Sequence, residues 1–392
     1  MAAPLKIAIV AACPFPLPRG TPIRILRIAE ALAARGHEVH VATYHLGAGP
    51  VAPAVRIHRI ADIPSYRRLS PGPTYRKLLV VDRSLRRLLH GLLQGSRFDV
   101  IHAHHYEGLM VAAAARKCRS VPVVYDAHTL LMSELPYYPL GLPVPVKRTL
   151  GRWIDRWMPA LADHTVCVTD TIRDKLVRDA GMKPDRVSVI ANGVEVEHFD
   201  PGALPPRSAR DHRTLIFTGN LAEYQGIDLL LRAYGQVAPR ISDVRLRIAS
   251  DSSFGPYESL ARELGIRERI DLVPSPPFDD LPRTLADADI AVNPRVDCDG
   301  VPVKLLNYMA AARPVVSFDS SAPGVVHRET GWLAASGDVA AFAEGIVTLL
   351  DDPALAGNLG QAARAHVVRH CSWTIAAERC EDLYRRLIAR PQ

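Results

Sequence analysis

Short apolar runs rich in valine and isoleucine alternate with segments of helical periodicity along most of the chain. Such runs are typical of strands buried on both faces of a sheet, and their alternation with helices favours parallel pairing. In the first half, the pattern predicts strands at residues 6–12, 38–43, 100–103, 122–125, 166–169 and 187–190. Helices are predicted from residue 22 and near residues 77–93, 109–117 and 171–180. The chain is therefore predicted to adopt an α/β fold.

A proline-rich stretch interrupts this alternation in the middle of the chain. Residues 199–207 contain three prolines and little periodicity, which is typical of a linker. The alternation restarts with strands predicted at residues 215–218, 245–249, 270–273, 290–292 and 315–318. Because 392 residues exceed the roughly 250–300 at which one core stops growing, two domains are expected. We place them at residues 1–198 and 214–371, joined by a linker at 199–213.

Charge is distributed unevenly between the two halves. The chain has a net charge of +7, and residues 1–200 carry 27 basic against 17 acidic residues. A basic half is compatible with nucleic acid, an anionic membrane or a phosphorylated substrate as partner. Nucleic acid is not expected, because this half shows neither a known nucleic-acid module nor aromatic residues interleaved with the charge.

Cysteine spacing and the N-terminus bear on the compartment. Six cysteines show no Cys-x-x-Cys pair or zinc-ligand spacing, so we interpret them as free thiols in a reducing compartment. The N-terminal apolar run superficially resembles a signal peptide, but Pro14, Pro16 and Pro18 interrupt it. No run approaches the roughly 18 apolar residues of a spanning helix. We expect a cytoplasmic protein, with peripheral contact to the inner face of the membrane left open.

Two predicted helix starts are candidate phosphate sites. After the first strand, Gly20 permits close approach of a ligand and Thr21 is a suitable N-cap, although an ordinary capped helix is the alternative. After the strand at 290–292, Lys304 falls in the first turn of a helix. A cation there is unfavourable unless an anion is bound, so the position favours a phosphate, with a solvated lysine as the alternative. Neither domain shows a Gly-x-Gly-x-x-Gly loop or a P-loop.

Residues 299–318 resemble the signature of glycosyltransferase family 4, whose members have the GT-B fold. The first glycine loop also matches the family, as do residues 35–39, 99–104, 126–128, 192–194 and 219–230, in the same order. The resemblance implies two Rossmann-like domains with parallel sheets facing across an interdomain cleft. It also implies that residues 372–392 form a C-terminal helix that packs back on the first domain.

The same resemblance implies an activity. Family members are retaining, metal-independent glycosyltransferases, and here a hexosyltransferase is expected. The donor would be a nucleotide sugar, with UDP- and GDP-sugars favoured, and it is a co-substrate, so no cofactor is expected. The acceptor would be a glycan, a lipid-linked sugar or a small molecule. His102, His104 and His105 resemble metal ligands, but they follow one another too closely on a strand to converge simply, so no metal site is predicted.

The resemblance also assigns site residues. Asp299 aligns with the family's first acid, which contacts the donor sugar, whereas Asn307 replaces the second acid, which holds the ribose. His128 matches a histidine beside the donor sugar, with a structural histidine as the alternative. We therefore predict His128 and Asp299 as catalytic residues. The predicted donor-binding residues are Gly20, Thr21, Asn220, Gln225, Arg295, Gly300, Lys304, Leu305 and Asn307.

Two positive charges expected from the family are missing. Asn220 and Gln225 stand where the family has an arginine and a lysine that grip the diphosphate. Negative charge on a leaving nucleoside diphosphate must be stabilised by preorganised donors or cations. The candidates here are two helix N-termini and Lys304, Arg295 and Arg24, with Lys304 ranked first. A catalytically weakened nucleotide-sugar-binding or regulatory protein on the same fold is the alternative.

Residues 66–87 are predicted to form a surface that can bind a membrane. Seven basic residues in this segment are interleaved with Tyr75, Leu78, Leu79 and Leu85, and Leu88 follows directly after it. A basic amphipathic helix of this kind can lie on an anionic membrane surface and bring a lipid-linked acceptor to the site. A solvated helix face is the alternative.

Overall fold

Valine, isoleucine and alanine form the strands of two parallel sheets, in which most strand residues are buried. The computed structural model describes residues 3–17, 20–69, 74, 76–116, 121–138, 141–204, 211–296 and 302–389. The strands of the first sheet are β1 (Lys6–Ala11), β2 (Glu38–Thr43), β3 (Val55–Arg59), β4 (Val100–His104), β5 (Val123–Ala127), β6 (His164–Cys167) and β7 (Val187–Val189). Those of the second are β8 (Arg213–Thr218), β9 (Val244–Ala249), β10 (Ile270–Val273), β11 (Ile290–Asn293), β12 (Val315–Phe318) and β13 (Trp332–Ala334).

The strand order of each sheet contains one reversal. The first sheet runs β3-β2-β1-β4-β5-β6-β7 and the second runs β10-β9-β8-β11-β12-β13. The order therefore reverses between β1 and β4 and between β8 and β11. At such a switch point the loops that leave the carboxyl ends of the two strands diverge, and this opens a crevice that binds ligands in open α/β sheets.

Helices cover both faces of each sheet. They are α1 (Gly20–Ala34), α2 (Asp82–Gly95), α3 (His105–Ala115), α4 (Leu131–Glu134), α5 (Val144–Trp157), α6 (Asp170–Arg178), α7 (Ile227–Val237), α8 (Gly255–Glu263), α9 (Leu281–Ala286), α10 (Val303–Ala310), α11 (Val339–Asp351), α12 (Pro353–His370) and α13 (Trp373–Ile388). In the first sheet, α1 and α13 cover one face, and α2 and α3 cover the other. Among the described residues, no helix has both the length and the apolar character needed to cross a bilayer.

The chain forms two compact units, Met1–Gly193 together with Trp373–Gln392, and Val194–Ser372. The sequence placed this boundary at residue 198, but Val196 and Phe199 are buried in a core cluster of the second unit. Arg364 donates hydrogen bonds to the carbonyl oxygens of both residues, at 3.2 and 3.3 Å. The beginning of the predicted linker therefore belongs to the second unit.

Helix α13 belongs to the first unit, although it lies at the end of the chain. It packs against α1, and Arg35 at the end of α1 pairs with Glu378 and Glu381 of α13 at 2.9 and 2.8 Å. Tyr384 of α13 is fully buried. A segment remote in sequence therefore completes the hydrophobic core of the first unit.

Two strands, the helices α4 and α5, and one helix start differ from the sequence prediction. The pattern missed β3, in which polar residues alternate with apolar ones at the sheet edge, and β13, which has only three residues. Helix α1 begins at Gly20, so Thr21 lies inside its first turn and not at the N-cap. Gly36, which follows α1, has a φ of 90°, a left-handed conformation that suits glycine at a helix end.

Two glycines of α12 offer a matched test of packing in the second unit. A methyl group added at Gly360 would overlap the carbonyl oxygen of Ala312, whereas one added at Gly357 would meet nothing within 4 Å. We expect Gly360→Ala to lower the free energy of unfolding by about 1–3 kcal/mol through overpacking. Gly357→Ala should leave it unchanged or raise it by up to about 1 kcal/mol through helix propensity. Urea denaturation followed by circular dichroism measures both, and equal effects would contradict this packing.

Candidate functional site

A buried ion pair lies at the carboxyl end of β5, near the switch point of the first sheet. Asp126 is fully buried, and Arg24 of α1 reaches its Oδ2 atom with Nε at 3.0 Å and with a second guanidinium nitrogen at 2.9 Å. Burial raises the pKa of Asp126, but the Arg24 charge and the neighbouring His128 outweigh it and hold that pKa well below its usual range. Asp126 is therefore a permanent carboxylate.

Arg24 uses its remaining donors to hold the loop after β7. They reach the carbonyl oxygens of Ile190 and Ala191 at 2.9 and 3.2 Å, and the side-chain oxygen of Asn192 at 3.1 Å. The sequence proposed Arg24 as a cation for a leaving diphosphate. The structure corrects this, because the side chain is buried and is occupied by these partners.

His128, the predicted catalytic histidine, follows β5 and is nearly buried. Its Nε2 atom lies 3.1 Å from Nδ1 of His104, and its Nδ1 atom lies 3.0 Å from Oγ1 of Thr21. Burial lowers the pKa of His128 to about 3, against the opposing effect of Asp126, so the ring is neutral at pH 7. A neutral ring can donate at one nitrogen and accept at the other, but it cannot act as a general acid.

The protons in this chain of hydrogen bonds can be assigned from the charges. Nδ1 of His104 lies 3.5 Å from the Asp126 carboxylate, closer than Nε2 of His128 at 3.7 Å, which favours a proton on the His104 nitrogen. Nε2 of His128 then accepts, and its Nδ1 donates to the Thr21 hydroxyl. Thr21 keeps its own proton for a further acceptor. The sequence-predicted residues His128 and Thr21 are thus brought together, with Thr21 as the terminal donor.

Two of the histidines do converge, contrary to the sequence prediction. His102 and His104 lie two residues apart and therefore on one face of β4, and one ligand atom from each lies within 4.8 Å of one from Asp126. The set does not fit a metal ion, because the Arg24 guanidinium is bonded to the same Oδ2 atom. In addition, Nδ1 of His102 lies 2.6 Å from the Tyr384 hydroxyl. The cluster is an ion-pair network that joins β4 and β5 to α1 and α13.

A second charged cluster follows β4, and the sequence reading missed it. His105 has a φ of 62°, and its ring nitrogens lie 3.4 Å from Glu107 and 3.3 Å from Glu134. Burial lowers the pKa of His105, but the two carboxylates raise it to about 10. Lys77 forms a further ion pair with Glu107. A strained non-glycine residue at the end of a central strand is characteristic of functional sites.

The predicted donor residues of the second unit gather at its switch point. Lys304, in the first turn of α10, donates to the side-chain oxygen of Gln225 at 2.7 Å, and its Nζ lies 3.9 Å from the centre of the Phe217 ring. The Gln225 amide nitrogen lies 3.5 Å from the Asn220 side-chain oxygen. The guanidinium of Arg295, after β11, lies over the Tyr224 ring at 4.9 Å. We call Asn220, Gln225, Arg295 and Lys304 the donor cluster.

A tight loop brings the donor cluster together. Gly226 has a φ of 71°, and a side chain there would overlap the carbonyl oxygen of Pro294. The loop after β8 therefore lies directly against the end of β11. Asn220 also stabilises this loop, because its side-chain oxygen accepts the N–H of Ala222 at 3.2 Å.

The remaining predicted residues differ in position. The Leu305 side chain belongs to the core, and its N–H donates to the carbonyl oxygen of Pro302 at the start of α10. Asn307 lies one turn after Lys304 on the same face of α10 and is 8% exposed. Gly20 is exposed at the start of α1. Asp299 and Gly300 lie outside the described residues.

Two family models match the chain, one to each unit. Residues 18–198 match the model described as Glycosyltransferase Family 4, and residues 212–352 match Glycosyl transferases group 1. Among curated relatives, D-inositol 3-phosphate glycosyltransferase 2 of Catenulispora acidiphila is 29% identical over 94% of this chain and 90% of its own.

Solved structures of glycosyltransferases share the fold. Sucrose-phosphate synthase from Thermosynechococcus elongatus superposes with a TM-score of 0.78 at 21% identity, over 98% of this chain and 99% of its own. Anabaena HepE, solved with UDP, gives a TM-score of 0.73 at 17% identity, over 97% and 100%. At these identities the similarity shows the GT-B fold.

The depressed pKa of His128 predicts a pH dependence of stability. The unfolded histidine has a pKa of about 6.5, so between that value and about 3 the unfolded state binds the extra proton. Stability is therefore lost as the pH falls through this range. From pH 7 to pH 5 we expect His128 to account for a loss of about 2 kcal/mol, which His128→Gln should remove.

Tryptophan fluorescence during urea denaturation measures this effect, because Trp153, Trp157 and Trp373 lie in the first unit and only Trp332 lies in the second. His370→Gln is the control, since His370 is exposed on α12. A His128→Gln protein with the same pH slope as the wild type would show that the native ring is not neutral.

Proposed function

The chain belongs to glycosyltransferase family 4, and from this premise we propose that it transfers a hexose from a nucleoside-diphosphate sugar with retention of configuration and without a metal cofactor. We assign the donor to the second unit and the acceptor to the first. The donor is a UDP- or GDP-sugar, which HepE's complex with UDP supports. The acceptor is a glycan, a lipid-linked sugar or a small molecule.

The donor cluster carries this proposal. It lies at the switch point of the second sheet, where nucleotides bind in open α/β folds. Lys304 donates to the side-chain oxygen of Gln225 and lies against the Phe217 ring, in the first turn of α10, where a phosphate is favoured. Arg295 supplies a second cation, on the adjacent strand end.

Neutral residues at positions 220 and 225 are compatible with this role. In the family these positions hold an arginine and a lysine, whereas here Gln225 orients Lys304 through a 2.7 Å hydrogen bond. We propose that Lys304 and Arg295 take over the stabilisation of the leaving nucleoside diphosphate. Asn307 contacts the ribose as a neutral partner, and Asp299 and Gly300 contact the donor sugar.

The first unit contributes neutral hydrogen-bond donors to the reaction. His128 acts through Thr21, whose hydroxyl is the outward donor of the chain from His104. Because His128 is neutral at pH 7, it does not protonate the leaving group. The departing phosphate is the proposed base for the acceptor hydroxyl. Gly20 and the N-terminus of α1 lie beside Thr21 and favour an anionic group there.

The acceptor and the location remain proposals. The curated relatives carry the name D-inositol 3-phosphate glycosyltransferase, which makes D-inositol 3-phosphate the first soluble acceptor to test. We propose that the protein works in the cytoplasm and contacts the anionic inner face of the membrane. The binding or regulatory alternative is not favoured, because those relatives are named as enzymes.

Thermal denaturation with candidate donors tests the donor assignment without an acceptor. UDP-, GDP-, ADP- and dTDP-sugars are compared, and a UDP- or GDP-sugar should raise the apparent stability by about 2.7 kcal/mol at a hundredfold excess over its Kd. Lys304→Ala should abolish the shift. Lys183→Ala, which removes an exposed lysine of the first unit, should retain it. No shift with any donor would remove the support for this site.

Turnover tests the catalytic role of Lys304. At saturating donor we expect Lys304→Ala to lower kcat by about a hundredfold to a thousandfold, because a cation that stabilises developing charge is lost. The free energy of unfolding without ligand serves as the control for folding. A folded Lys304→Ala protein with full turnover at saturating donor would exclude this role.

A further inference from the structure

Helix α5 exposes an apolar stripe to solvent. Val146, Leu150, Trp153 and Trp157 recur every three or four residues and therefore share one face of the helix. They are 48, 39, 61 and 59% exposed, respectively. A continuous apolar helix face that includes two exposed tryptophans is unusual on a protein surface and indicates an interaction site. We call these four residues the α5 stripe.

The stripe is not the face by which α5 packs on its own unit. On the buried face, a side chain at Gly151 would collide with the backbone of Leu131 and Met132. Asp155 accepts the N–H groups of the same two residues at 2.9 Å. Lys147 donates to the carbonyl oxygen of Tyr138 at 2.7 Å. These contacts fix the rotation of the helix and hold the stripe outward.

The charge beside the stripe has one sign. Arg148, Arg152 and Arg156 repeat every four residues and are exposed along one flank of the stripe. The segment 141–161 contains one acidic residue, Asp155, and it is buried. The exposed surface of α5 therefore combines tryptophan, aliphatic residues and arginine, without a carboxylate of its own.

We propose that the α5 stripe docks on an anionic lipid bilayer. Tryptophan favours the level of the lipid headgroups, and arginine is attracted to anionic lipid. An exposed helix with tryptophan and aliphatic residues on one face and arginines beside them suits the surface of a bilayer. A second copy of the chain would bring two rows of arginines together, which like-charge repulsion disfavours.

This surface differs from the one that the sequence indicated. In α2, Leu85 and Leu89 are fully buried against the first sheet, so the apolar face of that basic helix is already used. Among the described residues of the segment 66–87, the exposed apolar side chains are Leu69 and those of the turn Lys77–Val81, of which Leu79 is 69% exposed. The α5 stripe is the longer apolar face, and we assign the main contact to it.

Docking through α5 also has a consequence for the acceptor. Helix α5 packs on α4, and Glu134 of α4 pairs with His105 at the carboxyl end of β4. A lipid-linked acceptor in the same membrane would therefore enter beside this cluster. The identity of that acceptor rests on the proposed glycosyltransferase function, whereas the docking itself does not.

Vesicle flotation of the full chain tests the docking. Phosphatidylcholine vesicles are used with and without phosphatidylglycerol, and the wild type should float only with the anionic vesicles. Trp153→Ser combined with Trp157→Ser should weaken binding by roughly tenfold or more. Arg152→Gln should weaken it by about fivefold at low salt. Val368→Ser, at an exposed apolar position on α12, is the matched control and should bind normally.

Fluorescence identifies the surface that meets the lipid. Brominated lipid should quench wild-type tryptophan emission, and Trp153→Phe combined with Trp157→Phe should lose most of the quenching but keep the binding. Transfer to a soluble acceptor, or donor binding, is measured in parallel. A wild type that uses its donor but does not float, or binding that the serine variants leave intact, would overturn the docking alone. Concentration-dependent self-association that requires the stripe, without vesicle binding, would assign it to a second copy and also overturn it.

Discussion

The buried pair of Arg24 and Asp126 determines how the first unit is built around its switch point. Burying a carboxylate at the centre of a sheet costs free energy unless an opposite charge compensates it. Arg24 of helix α1, which covers the sheet, provides that charge. The same guanidinium holds the loop at residues 190–192, and Asp126 contacts both His102 and His104. Burial, assisted by the Arg24 charge, lowers the pKa values of His104 and His128 so that both rings stay neutral, and His104 can serve as the inner end of a hydrogen-bond chain to Thr21.

The two units place different groups around their switch points, and the proposed roles follow from this difference. In the first unit, the charged groups of the network satisfy one another, which leaves neutral donors such as Thr21 for a substrate. In the second unit, Lys304 and Arg295 lie against aromatic rings, and Gln225 meets Lys304 with a neutral oxygen. The second unit therefore gathers two cations at the place where we assign the diphosphate.

The fold was largely predictable from the sequence, whereas the site was predictable only in part. Strands at 38–43 and 315–318 agree with the pattern because parallel strands buried on both faces leave largely apolar runs. The family resemblance named Lys304, Gln225 and His128, and the structure places the first two together and joins His128 to Thr21. Burial is what the sequence could not show. Arg24 is buried and has a structural role, and the Leu305 side chain lies in the core. The pairing of His105 with two glutamates was likewise not visible in the sequence.

Helices α2 and α5 show why a basic amphipathic pattern does not by itself identify a membrane surface. Both combine arginines with leucines or tryptophans at helical spacing. In α2 the leucines cover the first sheet, so the pattern reflects ordinary packing of a surface helix. In α5 a glycine, a buried aspartate, a lysine and Ile154 make the packing contacts instead. Since these residues anchor α5, the four apolar residues of the α5 stripe are not needed for its packing. An apolar face that folding does not use must be explained by a partner, and the arginines beside it indicate an anionic one.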